Sequence, residues 1–245
     1  YNSPVKQVEF ISGKLKLKGS LVFPKKVKPK NPAILFVHGW TSHKQRSYQY
    51  ANSLAKLGYI CFLFDMRGHG ESEGDISTFT IKEFFGDVQT AYDYLINVKG
   101  VDTKNISAVG SSFGGYLIAL LTAKRNVKNL VMRVPADYPN EDFKKTKSTS
   151  SHPKDNILKW RKQKKQPDET YALKALSKFN GNVLIIEAEL DDAIPHQTIE
   201  NYKNAVKNKN KLTHITMKGA PHSVKEGPFR DKVEQILLDW FTRKS

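Results

Sequence analysis

Gly110-Ser111-Ser112-Phe113-Gly114 sets a serine between two glycines, and its surroundings decide what that serine can do. A β-prone run, ISAV (106–109), comes directly before the motif, and a helix-prone run, YLIALLTA (116–123), follows it. A strand-to-helix turn made within about one residue strains the central backbone and holds its hydroxyl clear of the sheet edge. The positions two residues away must then be nearly bare, as Gly110 and Gly114 are, and Gly115 lets the helix pack closely. The chemistry on offer is nucleophilic attack on a carbonyl by Ser112, with a helix N-terminus facing the negative charge that develops. Ser111 is the neighbouring hydroxyl, but the glycine frame centres on Ser112, so Ser111 is expected to face inward.

A serine hydroxyl is a weak nucleophile at neutral pH; it needs a base, and the base needs an orienting acid. Of the seven histidines, His222 in KGAPHSV (218–224) lies just past the last strand, where a loop can swing an imidazole over Ser112. His214 falls inside that strand, His196 opens a helix after Pro195, and His152 sits in a polar stretch. His38 and His69 are in glycine-flanked loops, and His43 is in a polar loop. For the acid, the apolar run 182–188 leads into Leu190-Asp191-Asp192-Ala193-Ile194-Pro195. Asp191 is the first choice, Asp192 the second, with a helix N-cap as its competing role, and Asp137 a distant third. An oxyanion would need two backbone donors. The N–H groups of Trp40, in the loop after another buried strand, and of Phe113 stand at the right edge.

Those groups need a frame. Residues 7–24 alternate apolar and polar about Ser12-Gly13, as a hairpin with one buried face does. AILFVHGW (33–40) and YICFLFDMRGHG (59–70) begin as continuous apolar runs, the mark of strands buried on both faces. Residues 47–57 and 81–98 repeat at helical period, as does the closing segment 229–241. Further strands are expected at 128–134, 182–188 and 212–217. Strands alternating with helices imply an α/β architecture, a mostly parallel sheet with helices on both faces and the N-terminal hairpin as its antiparallel edge. One domain over 1–245 is expected. The stretch 137–178 breaks the rhythm: it is polar and lysine-rich, yet Ile157, Leu158, Trp160, Tyr171, Leu173 and Leu176 keep helix-like spacing. It reads as a small helical cap inserted over the sheet's C-terminal edge.

Composition narrows the function. With 39% hydrophobic and 26% charged residues the chain is ordinary globular material. No apolar run approaches the roughly 20 residues that span a bilayer, so no membrane span is expected. The single cysteine rules out a disulfide framework and a multi-cysteine metal site within the chain. Cys61 sits mid-strand with no His or Asp beside it, as a buried, inert thiol does. A net charge of +16 invites a nucleic-acid reading. The lysines are scattered, however, and no nucleic-acid-binding motif accompanies them, so a solvated basic surface is the better reading, with the allowance that such a field would attract anionic substrates. A cytoplasmic location is expected; Tyr1 at the N-terminus leaves a removed leader open.

HGW after the third strand, DMRGHGESEG after the fourth, GSSFGG at the elbow, ELDDAIP and the late APHS together resemble the α/β-hydrolase superfamily. The short cap and the DMRGHGESEG loop resemble the branch of cinnamoyl and feruloyl esterases and related carboxylesterases. The order Ser112, Asp191, His222 is the one that fold uses. The resemblance implies ester hydrolysis through an acyl-enzyme, without metal or cofactor, on a small-molecule ester with a small or aromatic acyl group. The same triad would serve a thioester, lipid ester or peptide, and a non-catalytic ligand-binding protein is the rival from another class. Departures from the branch lie in the lysine-rich, aromatic-poor cap and in Ser111 and Phe113 flanking the nucleophile. In DMRGHGESEG, Arg67 is expected to be ion-paired within the fold. Arg133 at a strand mouth and Trp160 from the cap are the candidate substrate contacts, each with a structural alternative. Homodimerisation is left open.

Overall fold

The computed structural model describes residues 3–146 and 154–243; the expected position of His152 lies outside them. Eight strands form one sheet: β1 (Val5–Ser12), β2 (Leu15–Val22), β3 (Asn31–Val37), β4 (Ile60–Phe64), β5 (Val101–Ser111), β6 (Asn129–Arg133), β7 (Asn182–Leu190) and β8 (Leu212–Pro221). Their order across the sheet is β1-β2-β4-β3-β5-β6-β7-β8. The β1–β2 hairpin turns at Gly13, whose φ of 62° favours glycine. β2 also runs antiparallel to β4, whereas every pairing from β4 through β8 is parallel.

Parallel strands need crossovers, and the helices supply them. They are α1 (Tyr48–Lys56), α2 (Ile81–Ile96), α3 (Phe113–Leu121), α4 (Lys154–Arg161), α5 (Tyr171–Ser177), α6 (His196–Ala205) and α7 (Pro228–Thr242). α1 packs against α7, while α2, α3, α5 and α6 form a second row. All five residues of β4 are buried, so both its faces are covered, which explains its unbroken apolar run. α2 begins with a reciprocal cap: the Thr80 hydroxyl accepts from the Glu83 N–H, and the Glu83 carboxylate accepts from the Thr80 N–H.

The insertion between β6 and β7 holds a 3₁₀ turn (Asn140–Lys144), α4 and α5. Its described part leans on α3 and α6, with Leu173 and Leu176 buried. Buried polar groups do much of the anchoring. Arg161 donates to the carbonyls of Asp137 (3.2 Å) and Ala193 (3.1 Å), and Lys165 Nζ donates to the Trp160 carbonyl (2.7 Å). Arg161 and Lys165 can be buried because their donors meet backbone carbonyls, while Lys159, Lys162, Lys164, Lys174 and Lys178 stay exposed.

Candidate active site

Five of the six strands in parallel pairings, all but β4, place a polar group at the same edge of the site. Ser112 is the first residue after β5, His38 the first after β3, Asp191 the first after β7 and His222 the first after β8, while Arg133 ends β6. A crevice outside the carboxyl ends of the strands is where this sheet type binds ligands. β7 and β8 run two and four residues beyond the expected 182–188 and 212–217, and Leu190 pairs with Pro221. That last pair places Asp191 and His222 side by side.

Ser112 sits at φ 52° and ψ −113°, a conformation that costs an L-residue about 1–3 kcal/mol. Three backbone hydrogen bonds hold it. Its N–H donates to the Arg133 carbonyl (2.9 Å), and its own carbonyl accepts from Ala136 (3.0 Å) and Tyr116 (3.1 Å). The flanking glycines are needed for close approach. A Cβ on Gly110 would stand 2.5 Å from the Gly114 carbonyl oxygen, and one on Gly114 would stand 2.2 Å from that of Val37. Gly115 meets Pro135, on the chain leaving β6, where a Cβ would be 3.1 Å from the Pro135 Cα.

His222 Nδ1 lies 2.9 and 2.8 Å from the two Asp191 carboxylate oxygens. Asp191 Oδ1 also accepts from the N–H groups of Ala193 (2.9 Å) and Ile194 (2.7 Å), which fixes the carboxylate in place. Ser112 and His222 line one cleft of about 280 Å³, together with Trp40. The other two acids considered for this place lie elsewhere. Asp192 is exposed, and Asp137 is buried in the insertion, where its carboxylate accepts from the Thr170 hydroxyl (3.1 Å). Burial pushes the Asp137 carboxyl up to about 7.

The loop after β3 is built from buried imidazoles and rings. His38 Nδ1–H donates to the Gly39 carbonyl (2.7 Å), and its Nε2 accepts from the Met66 N–H (3.1 Å). Burial first, and the neighbouring His69 second, push His38 down to about 4, so it is neutral at physiological pH. His69 Nε2 accepts from the N–H of Thr41, which sits at φ 56°. The Trp40 ring packs edge-on against His69, Phe84 and Phe113, at centroid distances of 5.4, 5.3 and 5.5 Å. These contacts fix the backbone of Trp40 beside α3. The Phe113 ring is fully buried.

Ser111 does not face inward: it lines the cleft and its hydroxyl accepts from Arg133 Nη2 (2.7 Å). Arg133 also lines the cleft, and its Nη1 donates to the His222 carbonyl (2.8 Å). That second bond was invisible in the sequence because its acceptor is backbone. Trp160 is not among the cleft residues; its ring lies under the Lys165 ammonium, 3.8 Å from the centroid. Among the described residues, none from the insertion lines the cleft. Its helices docked on the α3–α6 side, a choice that helical periodicity does not specify.

The remaining candidates serve the frame. Arg67 makes a buried bidentate pair with Asp87 (2.7–3.0 Å). His214 (2.8 Å) and His196 (2.6 Å) both meet Glu187, and His43 meets Gln45 (2.6 Å). Cys61 is buried, which raises its thiol's pKa. Among the described residues, no group of three or more His, Cys, Asp or Glu side chains could hold a metal, and no helix is long and apolar enough to cross a membrane.

A mostly parallel eight-stranded sheet with an antiparallel hairpin, and a serine on a strained strand-to-helix turn at its carboxyl edge, is the architecture of an α/β-hydrolase. Est1E of Butyrivibrio proteoclasticus, in a structure with ferulic acid bound, shares this fold. Its TM-score is 0.75 at 19% identity, and the match covers 96% of this chain and 98% of that one. The chain belongs to the prolyl oligopeptidase family, whose profile matches residues 45–245, and it is a hydrolase. Among curated relatives, a multifunctional-autoprocessing repeats-in-toxin protein of Vibrio cholerae is 35% identical over 92 residues. The human palmitoyl-protein thioesterase ABHD10 is 32% identical over 96 residues. Those stretches are 37% and 38% of this chain and only 2% and 29% of the relatives' own lengths.

Proposed function

We propose that this hydrolase is a serine carboxylesterase acting on small or aromatic acyl esters. The reading is carried by the bond between His222 Nδ1 and the Asp191 carboxylate at 2.8–2.9 Å, with Ser112 and His222 on one cleft. A carboxylate facing Nδ1 keeps the imidazole proton there and leaves Nε2 to act as base. Ser112 Oγ attacks the ester carbonyl as His222 takes its proton, and Asp191 stabilises the imidazolium. The N–H groups of Trp40 and Phe113 receive the oxyanion, each such donor contributing about 3–4 kcal/mol to the transition state. His222 then protonates the leaving alcohol, and a water activated by the same imidazole attacks the acyl-enzyme to release the acid. Every proton moved is returned, so no cofactor is required.

A cleft of about 280 Å³ favours a small acyl group, being at the lower end for ligand pockets. Est1E, solved with ferulic acid, supports an aromatic one. A peptidase or thioesterase reading with the same three residues draws on the family's name and on the ABHD10 relative. Turnover of p-nitrophenyl acetate by the wild type and Ser112→Ala tests the main reading: it expects activity in the first and none above background in the second. Parallel assays with an acyl thioester and a prolyl peptide anilide, if either greatly outran every ester, would move the assignment to that class.

A further inference from the structure

The cleft has a charge pattern that ester hydrolysis alone does not require. Arg46, Arg133 and Lys225 line it, and no aspartate or glutamate does among the described residues. Arg133 stands at its floor beside Val131 and Ile186, at the sheet edge just below Ser112. Its two hydrogen bonds go to a backbone carbonyl and a serine hydroxyl, both neutral, and use two of the five N–H donors of a guanidinium. Among the described residues no carboxylate pairs with it. The acid whose charge does reach Arg133, Asp191, is already committed to His222 and two backbone N–H groups. A half-buried guanidinium with N–H donors to spare and no ion-pair partner is suited to receive an incoming anion.

Tyr50 lines the same cleft and lies close enough to Arg133 for each to influence the other's ionisation. Burial raises the Tyr50 pKa, so its hydroxyl remains a hydrogen-bond donor at neutral pH. Val131, Ile186 and Leu237 are among the residues lining the same cleft and give it an aliphatic part. That arrangement suits a short methylene chain with an ionised end.

We propose that the cleft selects esters bearing a second, ionised acid group, in the simplest case an ω-carboxyacyl ester, and that Arg133 and Tyr50 bind that group. This rests on the esterase reading for turnover, but binding can be measured without it. The kinetic probes are mono-p-nitrophenyl adipate and p-nitrophenyl hexanoate, which match in carbon chain and differ in the terminal charge. The expected result is a kcat/KM at least about tenfold higher for the adipate, a preference that shrinks as salt screens it and is lost in Arg133→Met. Because Arg133 also holds the His222 carbonyl, that variant is expected to slow on both esters, so the ratio is the readout. Calorimetric binding of monomethyl adipate and methyl hexanoate to Ser112→Ala gives the same comparison without catalysis. Equal kcat/KM for the two esters, with equal or absent binding of the two methyl esters, would overturn the proposal and leave the esterase reading standing. Preferred binding of monomethyl adipate, with neither p-nitrophenyl ester cleaved by the wild type, would uphold the anion site and overturn the esterase reading.

Discussion

Replacing Asp191 by asparagine tests the proposed triad without changing its shape. Asp191 Oδ1 accepts from the N–H groups of Ala193 and Ile194, at 2.9 and 2.7 Å. An asparagine must therefore keep its oxygen at that position, which turns its NH2 toward His222 Nδ1. A donor there forces Nδ1 to accept, moves the imidazole proton to Nε2, and removes the base from Ser112. The loss expected for the wrong tautomer is about 10⁴-fold in kcat, or roughly 5 kcal/mol of transition-state stabilisation. KM should change little, because substrate binding does not use this carboxylate. Stability should also hold, since both backbone hydrogen bonds survive. The assay is steady-state hydrolysis of p-nitrophenyl acetate, with thermal melting alongside and the exposed Asp192→Asn as the comparison, expected to match wild type. If Asp191→Asn kept more than about a tenth of wild-type kcat while Asp192→Asn fell steeply, the acid would be Asp192 and the argument would fail.

Gly114→Ala places a methyl 2.2 Å from the Val37 carbonyl oxygen, so the end of β3 must shift. It should lower stability by about 1–3 kcal/mol and depress turnover, whereas Gly86→Ala, in open space on α2, should raise stability by about 0.5–1 kcal/mol in urea unfolding. Asp137 holds its proton up to about pH 7 in the folded state, against about 3.9 in the unfolded chain. Its contribution to stability therefore falls as pH rises from about 4 to 7, and Asp137→Asn should be the more stable protein above that window, by up to about 4 kcal/mol. Equal urea midpoints for the two proteins at pH 8 would contradict this. Trp160→Ala should leave p-nitrophenyl acetate kinetics unchanged, because the ring stacks under Lys165 outside the cleft.

The elbow was legible because its constraint is local: a strand, a turn that tolerates only glycine nearby, and a helix must follow one another in sequence. Asp191 and His222 were legible as residues just past strands, although the strands run further than their apolar runs imply, to Leu190 and Pro221. Arg67 could be assigned an ion pair from its loop, but its partner Asp87 sits twenty positions away on α2, and only the fold names it. The docking side of the insertion was not legible. Leu173 and Leu176 announce a buried helical face without saying which neighbour buries it, and Arg161 and Lys165 anchor on backbone carbonyls, which carry no side-chain signature. Ser111 shares a face of β5 with Val109, which also lines the cleft, and Arg133, its paired neighbour on β6, meets its hydroxyl there; the glycine frame carries no sign of that partner.

In the proposed mechanism one hydroxyl, that of Ser112, is the nucleophile. Treating the folded protein with a fluorophosphonate probe and locating the adduct by peptide mass spectrometry tests it most directly. A single adduct per chain is expected, on Ser112, rising in step with the loss of p-nitrophenyl acetate turnover and absent in Ser112→Ala. An adduct on another residue, or full turnover by a chain whose Ser112 is labelled or replaced, would contradict it.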